Sequence, residues 1–187
     1  MLFRSIDVEA GSWHSLAIRA DGTVVCWGAD DFSQSTPPAI ATDGSNRVIQ
    51  IEGGEHHSLA LLDSGEVIGW GRNDSGEVTI PEAVNDPDRA VRLVRTAVST
   101  SIAVMMDGSI EVWGRTSYGQ GSGQGDVPAD IGPDGIRAVD VSGGFHIVAL
   151  LKDGSIRCWG AQDQSNIPAG IGDPGARVQD RKSTRLN

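Results

Sequence analysis

HSLALLDSGEVIGWG, residues 57–71, decides the fold. Two apolar runs, 58–61 and 67–70, flank Ser64-Gly65, and a tryptophan–glycine pair closes the stretch. Nearly the same text stands at 14–28 (HSLAIRADGTVVCWG), 100–114 (TSIAVMMDGSIEVWG) and 146–160 (HIVALLKDGSIRCWG). The aligned tryptophans, Trp27, Trp70, Trp113 and Trp159, are spaced 43, 43 and 46 residues apart. Self-similarity at this period marks a supersecondary unit that buries its apolar face only against neighbouring units. Residues that recur in every unit are therefore scaffold, and function is expected where the units differ.

Each unit opens on a half-buried alternating strand: Ile6 and Val8, Val48 and Ile51, Val91 and Leu93, Val139 and Val141. Small residues follow (Ala10-Gly11, Gly53-Gly54, Thr96-Ala97, Ser142-Gly143), read as a tight turn with positive φ. The second strand is expected at 15–18, 58–61, 101–104 and 147–150, and the third at 24–27, 67–70, 110–113 and 156–159. Between them lie Asp21-Gly22, Ser64-Gly65, Asp107-Gly108 and Asp153-Gly154. These predict two-residue hairpins with both central residues at φ > 0. After each Trp-Gly a polar loop runs to a proline, which excludes a central strand and predicts an irregular return. Three strands plus a return make a propeller blade. The units span about 6–47, 48–90, 91–135 and 136–175, with a fifth starting at 176–179, so the chain reads as an all-β propeller.

The 187 residues carry 25 acids against 15 Lys+Arg, a net charge of −10. That balance disfavours a phosphate backbone and steers cationic partners. No run reaches the roughly 18 apolar residues of a membrane span, and the first residues lack a signal-peptide apolar core. Cys26 and Cys158 occupy the same register in the first and fourth units, too far apart to bridge. They read as small buried strand residues, which leaves the compartment open.

Gly53-Gly54, His57-Ser58-Leu59-Ala60, Gly65 and Trp70-Gly71 together resemble the repeat of the regulator of chromosome condensation family. The other units match with gaps. The short returns 33–37 and 76–81 look like the bacterial branch that includes the type II β-lactamase-inhibitory protein. The resemblance covers residues 6–179 and implies a seven-bladed ring, a monomer when complete, of which four blades are present here as an open part. The third unit departs from the pattern, with Thr96-Ala97 and Thr100 in place of the glycines and the histidine. No unit carries the Gly-Gln-Leu-Gly loop of the eukaryotic members, which weighs against nucleotide exchange on a small GTPase.

Residues 180–187, DRKSTRLN, resemble the translation of a sequencing-library adapter and are read as a non-native tail. Without them 12 Lys+Arg face 24 Asp+Glu. The alternative is a native basic tail on a four-bladed propeller. An open set of blades is expected to be less soluble than a closed ring.

Strand parity places the glycine turns and the post-Trp-Gly loops on one face and the Asp-Gly hairpins on the other. The first face varies between units. It carries the candidate partner-binding residues Trp13, Asp31, Phe32, Glu55, His56, Arg72, Arg115, Tyr118 and Phe145. Phe32 and Tyr118 sit mid-loop and read as exposed anchors. Trp13 and Phe145 read equally as anchors or as plugs between blades. His14, His57 and His146 recur at one register. Such positions diverge around a ring, so they read as buried imidazoles bonding a neighbouring turn rather than metal ligands. Gly22, Gly65, Gly108 and Gly154, with the four tryptophans, complete the scaffold set.

No catalytic residue, metal site or cofactor motif stands out. Asp30-Asp31 lacks the ligand spacing of a calcium loop. The sequence therefore reads as a non-catalytic protein-binding propeller, with no nucleic-acid or membrane partner. Regulation of a small GTPase is the first alternative. A cleft enzyme completed by further blades is the second.

Overall fold

A computed structural model describes residues 4–117 and 123–160, together with Ile167 and Ile171. Tyr118 and the tail 180–187 lie outside the described residues. Four three-stranded antiparallel sheets follow one another: β1 (Ser5–Ala10), β2 (His14–Arg19), β3 (Val24–Gly28); β4 (Val48–Gly53), β5 (His57–Leu62), β6 (Val67–Gly71); β7 (Val91–Thr96), β8 (Thr100–Met105), β9 (Ile110–Gly114); β10 (Ala138–Gly143), β11 (His146–Leu151), β12 (Ile156–Gly160). Among the described residues the returns are irregular apart from α1 (Ala39–Thr42), a single turn with Pro38 at its N-cap. The described residues form four blades of an all-β propeller.

The first strand of every blade is bulged. Its register shifts after Ser5, Val48, Val91 and Ala138. The extra residue advances the alternation by one. Val91 with Val94, and Ala138 with Val141, therefore fill the core where simple alternation expects Leu93 and Val139.

Each interface repeats one recipe. Leu16, Ile18 and Val24 of the first blade pack on Ile51, Ala60 and Trp70 of the second. Leu59, Leu61 and Val67 then pack on Val94, Ala103 and Trp113. Ile102, Val104 and Ile110 pack on Val141, Ala149 and Trp159. Blade faces are thus directional, with an outgoing face on one and an incoming face on the next. Arg95 ties three inner strands together, with Glu52 and Asp140 each 2.9 Å away.

The hairpins differ from the two-residue expectation. Gly22 N–H donates to Arg19 C=O and Arg19 N–H to Thr23 C=O, which makes a three-residue loop. Only Gly22 has positive φ, at 84°. Asp21 instead accepts from Thr23 N–H at 3.0 Å and keeps an ordinary φ. Gly65, Gly108 and Gly154 close the same loop. The glycine turns also differ from expectation, because Gly54 is not left-handed. A Cβ there would overlap the His57 imidazole, so the requirement is space rather than φ.

A polar clasp locks each junction. Trp70 Nε1–H donates to Gln34 C=O at 2.9 Å, Trp113 to Glu77 C=O at 3.0 Å, and Trp159 to Gln124 C=O at 2.8 Å. Ser58 Oγ–H donates to the same Gln34 carbonyl and so accepts from His14 Nε2–H, 2.8 Å away. Ser101 repeats this between Glu77 and His57. At the third junction both partners change together. Ile147 stands where the serine was, and Thr100 replaces the histidine and meets Gln124 Oε1 at 2.7 Å. Losing both partners leaves neither unpaired, which is the inexpensive way to lose a buried hydrogen bond.

Gln34, Glu77 and Gln124 are all buried. Gln124 Nε2–H donates to Gly144 C=O at 2.7 Å, whereas Gln34 Nε2 and Glu77 Oε1 have no partner. A buried unpaired carboxylate costs more than a buried amide, so Glu77→Gln is expected to stabilise the fold by about 1 kcal/mol. A urea midpoint unchanged or lowered by this substitution refutes the assignment.

Candidate functional site

First strands end at the glycine turns and third strands end at Trp-Gly, and both run antiparallel to the second. Turns and return loops therefore share one face. There the four turns surround a mouth of about 280 Å³ on the propeller axis, lined by residues 10–12, 53–55, 96–98, 143 and 144. Ser12 N–H donates to Gly54 C=O at 3.1 Å and Glu55 N–H to Val98 C=O at 2.8 Å, so the rim is stitched blade to blade. Glu55 is the one ionisable side chain of that lining.

The residue preceding the repeat histidine sits at the rim: Trp13, His56, Ser99 and Phe145 in turn. Trp13 is 61% exposed and Phe145 47%. Neither plugs a gap between blades. Ser99 is buried, with its hydroxyl 3.5 Å from Glu55 Oε2.

Between blades one and two the rim becomes a cluster. Phe32 lies 4.9 Å from the His56 ring, tilted by 51°. The Arg72 guanidinium caps Phe32 at 5.5 Å, a cation–π distance. Arg72 Nε–H donates to Asp74 at 2.8 Å, and that bond holds its pKa above the ordinary arginine value. Glu55 Oε1 stands 4.0 Å from His56 Nε2. His56 Nδ1 is buried with no hydrogen-bond partner. Asp31 is exposed at the cluster edge.

The loop holding Phe32 is fixed by its own side chains. Asp30 accepts from Ser35 N–H and Thr36 Oγ1–H, each at 2.8 Å. Gln34 Oε1 accepts from Phe32 N–H at 2.8 Å, so the clasp residue also aims the aromatic ring. Asn73 plays the part of Asp30 in the second blade, accepting from Val78 N–H at 3.0 Å. Phe32 thus stands on a loop held by its own side chains.

The structure brings together Phe32, Glu55, His56 and Arg72. Trp13 and Phe145 stand on the same rim. Arg115 is exposed one residue after the third Trp-Gly, its N–H on Ser99 C=O at 2.9 Å. Tyr118 lies outside the described residues. His14 and His57 are buried in the clasps, and His146 is half-buried at the fourth blade. Burial lowers the pKa of His14 and pushes that of His57 down to about 4. Burial, with the nearby Asp30 charge, pushes the Cys26 thiol up to about 12, which leaves it un-ionised. Sequence reading missed the loop-holding roles of Gln34, Asp30 and Asn73. In the first two blades these positions recur three and seven residues after the tryptophan, a signal that could have found them.

Residues 6–34, 48–77 and 136–165 match the model of the regulator of chromosome condensation (RCC1) repeat. The unmatched blade is the one with Ala97 and Thr100. No curated protein matches the sequence. Among solved structures, Prp20p from Saccharomyces cerevisiae, described with its binding properties to Gsp1p and histones, superposes with a TM-score of 0.65 at 21% identity. That superposition covers 95% of this chain and 48% of Prp20p. The CRINKLY WD40 ectodomain of the Arabidopsis thaliana receptor kinase ACR4 gives 0.64 at 19%, covering 88% and 58%. Human WBSCR16 gives 0.66 at 18%, covering 87% and 50%. The chain spans about half the length of these structures, and the likeness is one of fold.

Proposed function

From three blades that match the RCC1 repeat and a fourth built to the same register, we propose a non-catalytic protein-binding propeller of the bacterial type. Its partner sits across the rim of glycine turns and return loops. One observation carries the reading. Large aromatic side chains, Trp13, Phe32 and Phe145, stand exposed on that rim at positions the repeat does not dictate. Phe32 is moreover held by its loop and capped by Arg72. Aromatic anchors in a charged surround are the usual centre of a protein interface. Asp31, Glu55 and Asp74 around them, in a chain of net charge −10, favour a partner surface carrying positive charge. Glu55 is the one ionisable side chain among the described residues that line the axial mouth. That favours the non-catalytic reading.

Phe32→Ala and Tyr118→Ala are each expected to weaken partner capture at least tenfold while the melting temperature holds. Loss of fold ahead of loss of binding would put these residues in the core and overturn the assignment. Likeness to Prp20p supports one second reading, regulation of a small GTPase. A nucleotide-release assay decides it, and no acceleration with any small GTPase removes that reading.

A further inference from the structure

On the hairpin face, opposite the rim, the repeat twice sets an arginine against a hairpin glycine. Arg47, the last residue before β4, lies on Gly22, and Arg137, the last before β10, lies on Gly108, so close that a Cβ on either glycine would strike it. The backbone is stitched at the same places. Val48 N–H donates to Gly22 C=O and Ala138 N–H to Gly108 C=O, each at 3.0 Å. The junction between the second and third blades departs from this pattern. Ala90 stands at the arginine position before β7, and a Cβ on Gly65 would meet nothing within 4 Å. A cavity of about 380 Å³ opens there, lined by residues 64–66, 84–87, 89 and 90. That is the size of a small-ligand cleft.

The hairpin changes at the same junction. Asp21 accepts from the Thr23 hydroxyl at 2.7 Å, and Asp107 and Asp153 from the Ser109 and Ser155 hydroxyls at 2.6 Å. In the second hairpin Ser64 takes the place of the aspartate and Glu66 that of the hydroxyl residue. Ser64 Oγ accepts from Glu66 N–H at 3.4 Å, so the hairpin no longer engages a carboxylate. The Glu66 carboxylate instead lines the cavity with Asp86. Val84 and Pro87 supply apolar wall, and Asn85 fixes it, accepting from Val67 N–H at 2.8 Å and donating to Val67 C=O at 3.0 Å. Arg89 is the one cation of the lining. Its guanidinium is already engaged by Glu111 at 3.0 Å and by Ser109 Oγ at 2.8 Å, so it does not cancel the two carboxylates. We infer that this cavity binds an alkylguanidinium, the side-chain chemistry of arginine, as a guest in the place that Arg47 and Arg137 hold at the neighbouring junctions. The methylene stem lies on Val84 and Pro87, and the planar head pairs with Glu66 and Asp86.

Amide NMR on the whole isotope-labelled chain, titrated with N-acetyl-arginine amide at matched ionic strength, tests this. Saturable shifts centred on Gly65, Glu66, Asp86 and Ala90 are expected in the millimolar range. The capped form of citrulline, which keeps the shape and lacks the charge, should bind at least tenfold more weakly. Glu66→Gln should weaken arginine binding at least fivefold. Ala90→Arg, which restores the chain's own arginine, should abolish the shifts. Both substituted positions are exposed, so the variants keep the fold, and unchanged spectra away from the cavity check it. Free L-arginine run alongside separates two sources of the same chemistry. Tighter binding of the free amino acid marks a small-molecule guest, and tighter binding of the capped form marks an arginine of a protein partner. No saturable shift at these residues overturns the inference. So does citrulline that binds as well as arginine, or a Glu66→Gln or Ala90→Arg chain that binds as before.

Discussion

Trp70→Ala should lower the unfolding free energy by roughly 3–5 kcal/mol, the range for emptying a buried large aromatic site. Trp27→Ala should cost less than about 1 kcal/mol, as for an exposed side chain. The two residues share one register position, a following glycine and the same strand geometry. Only their surroundings differ. Trp70 sits under Leu16, Ile18 and Val24, with its indole N–H on the Gln34 carbonyl, while no described blade covers Trp27. Truncation at 70 leaves a cavity and removes the donor to a buried carbonyl that Ser58 alone must then satisfy. Truncation at 27 leaves neither. Urea denaturation compares them directly. Equal losses at the two positions would mean that blade-to-blade burial does not set the stability of this fold.

That contrast marks what the sequence could and could not show. The Trp-Gly spacing is enough to define four blades, because strand, hairpin and strand are local and each leaves a periodic trace. It does not distinguish Trp27 from Trp70, since burial there depends on what stands on the far side. The clasp was hidden for a related reason. Its parts come from four places, a histidine and a return-loop residue in one blade and a serine and a tryptophan in the next. The return loops also differ in length. Gln34 lies seven residues after Trp27, but Gln124 lies eleven after Trp113, so alignment on the tryptophans blurs the position. In the sequence alone the loss of histidine at Thr100 is only a departure from the repeat pattern. Seen with Ile147 and Gln124 it is a paired exchange. The rim aromatics were legible because Trp13, Phe32 and Phe145 break the pattern of the repeat. What joins Phe32 to Arg72 and His56 was not, because that contact crosses two blades.

Acid should loosen the propeller in two stages, and the first belongs to the clasp histidines. Burial holds the His57 pKa at about 4 in the folded chain, against 6.5 for an ordinary histidine. Desolvation is the main cause, since the charged form is disfavoured away from water. The positive charges that His14 and His56 carry when protonated add to it. A folded-state pKa below the unfolded one means that the unfolded chain binds the proton more readily. The neutral clasp is therefore fully stabilising above about pH 6.5, and its contribution falls as pH drops toward 4. At about 1.4 kcal/mol per tenfold difference in proton affinity, the loss from His57 is roughly 3 kcal/mol, with a further loss of the same sign from His14. The hairpin carboxyls act lower. Hydroxyl bonds from Thr23, Ser109 and Ser155 hold Asp21, Asp107 and Asp153 below 3.8, so what they add is present above that value and lost beneath it. The two windows are separate enough to read one at a time. Unfolding free energies of the wild type and His57→Gln, taken at half-unit steps from pH 7.5 to 4, should differ in slope below 6.5. The variant starts lower, because Ser101 loses its imidazole donor, and then declines less steeply. Parallel profiles across that range would show that His57 does not titrate on unfolding, and that the clasp is not where acid first acts.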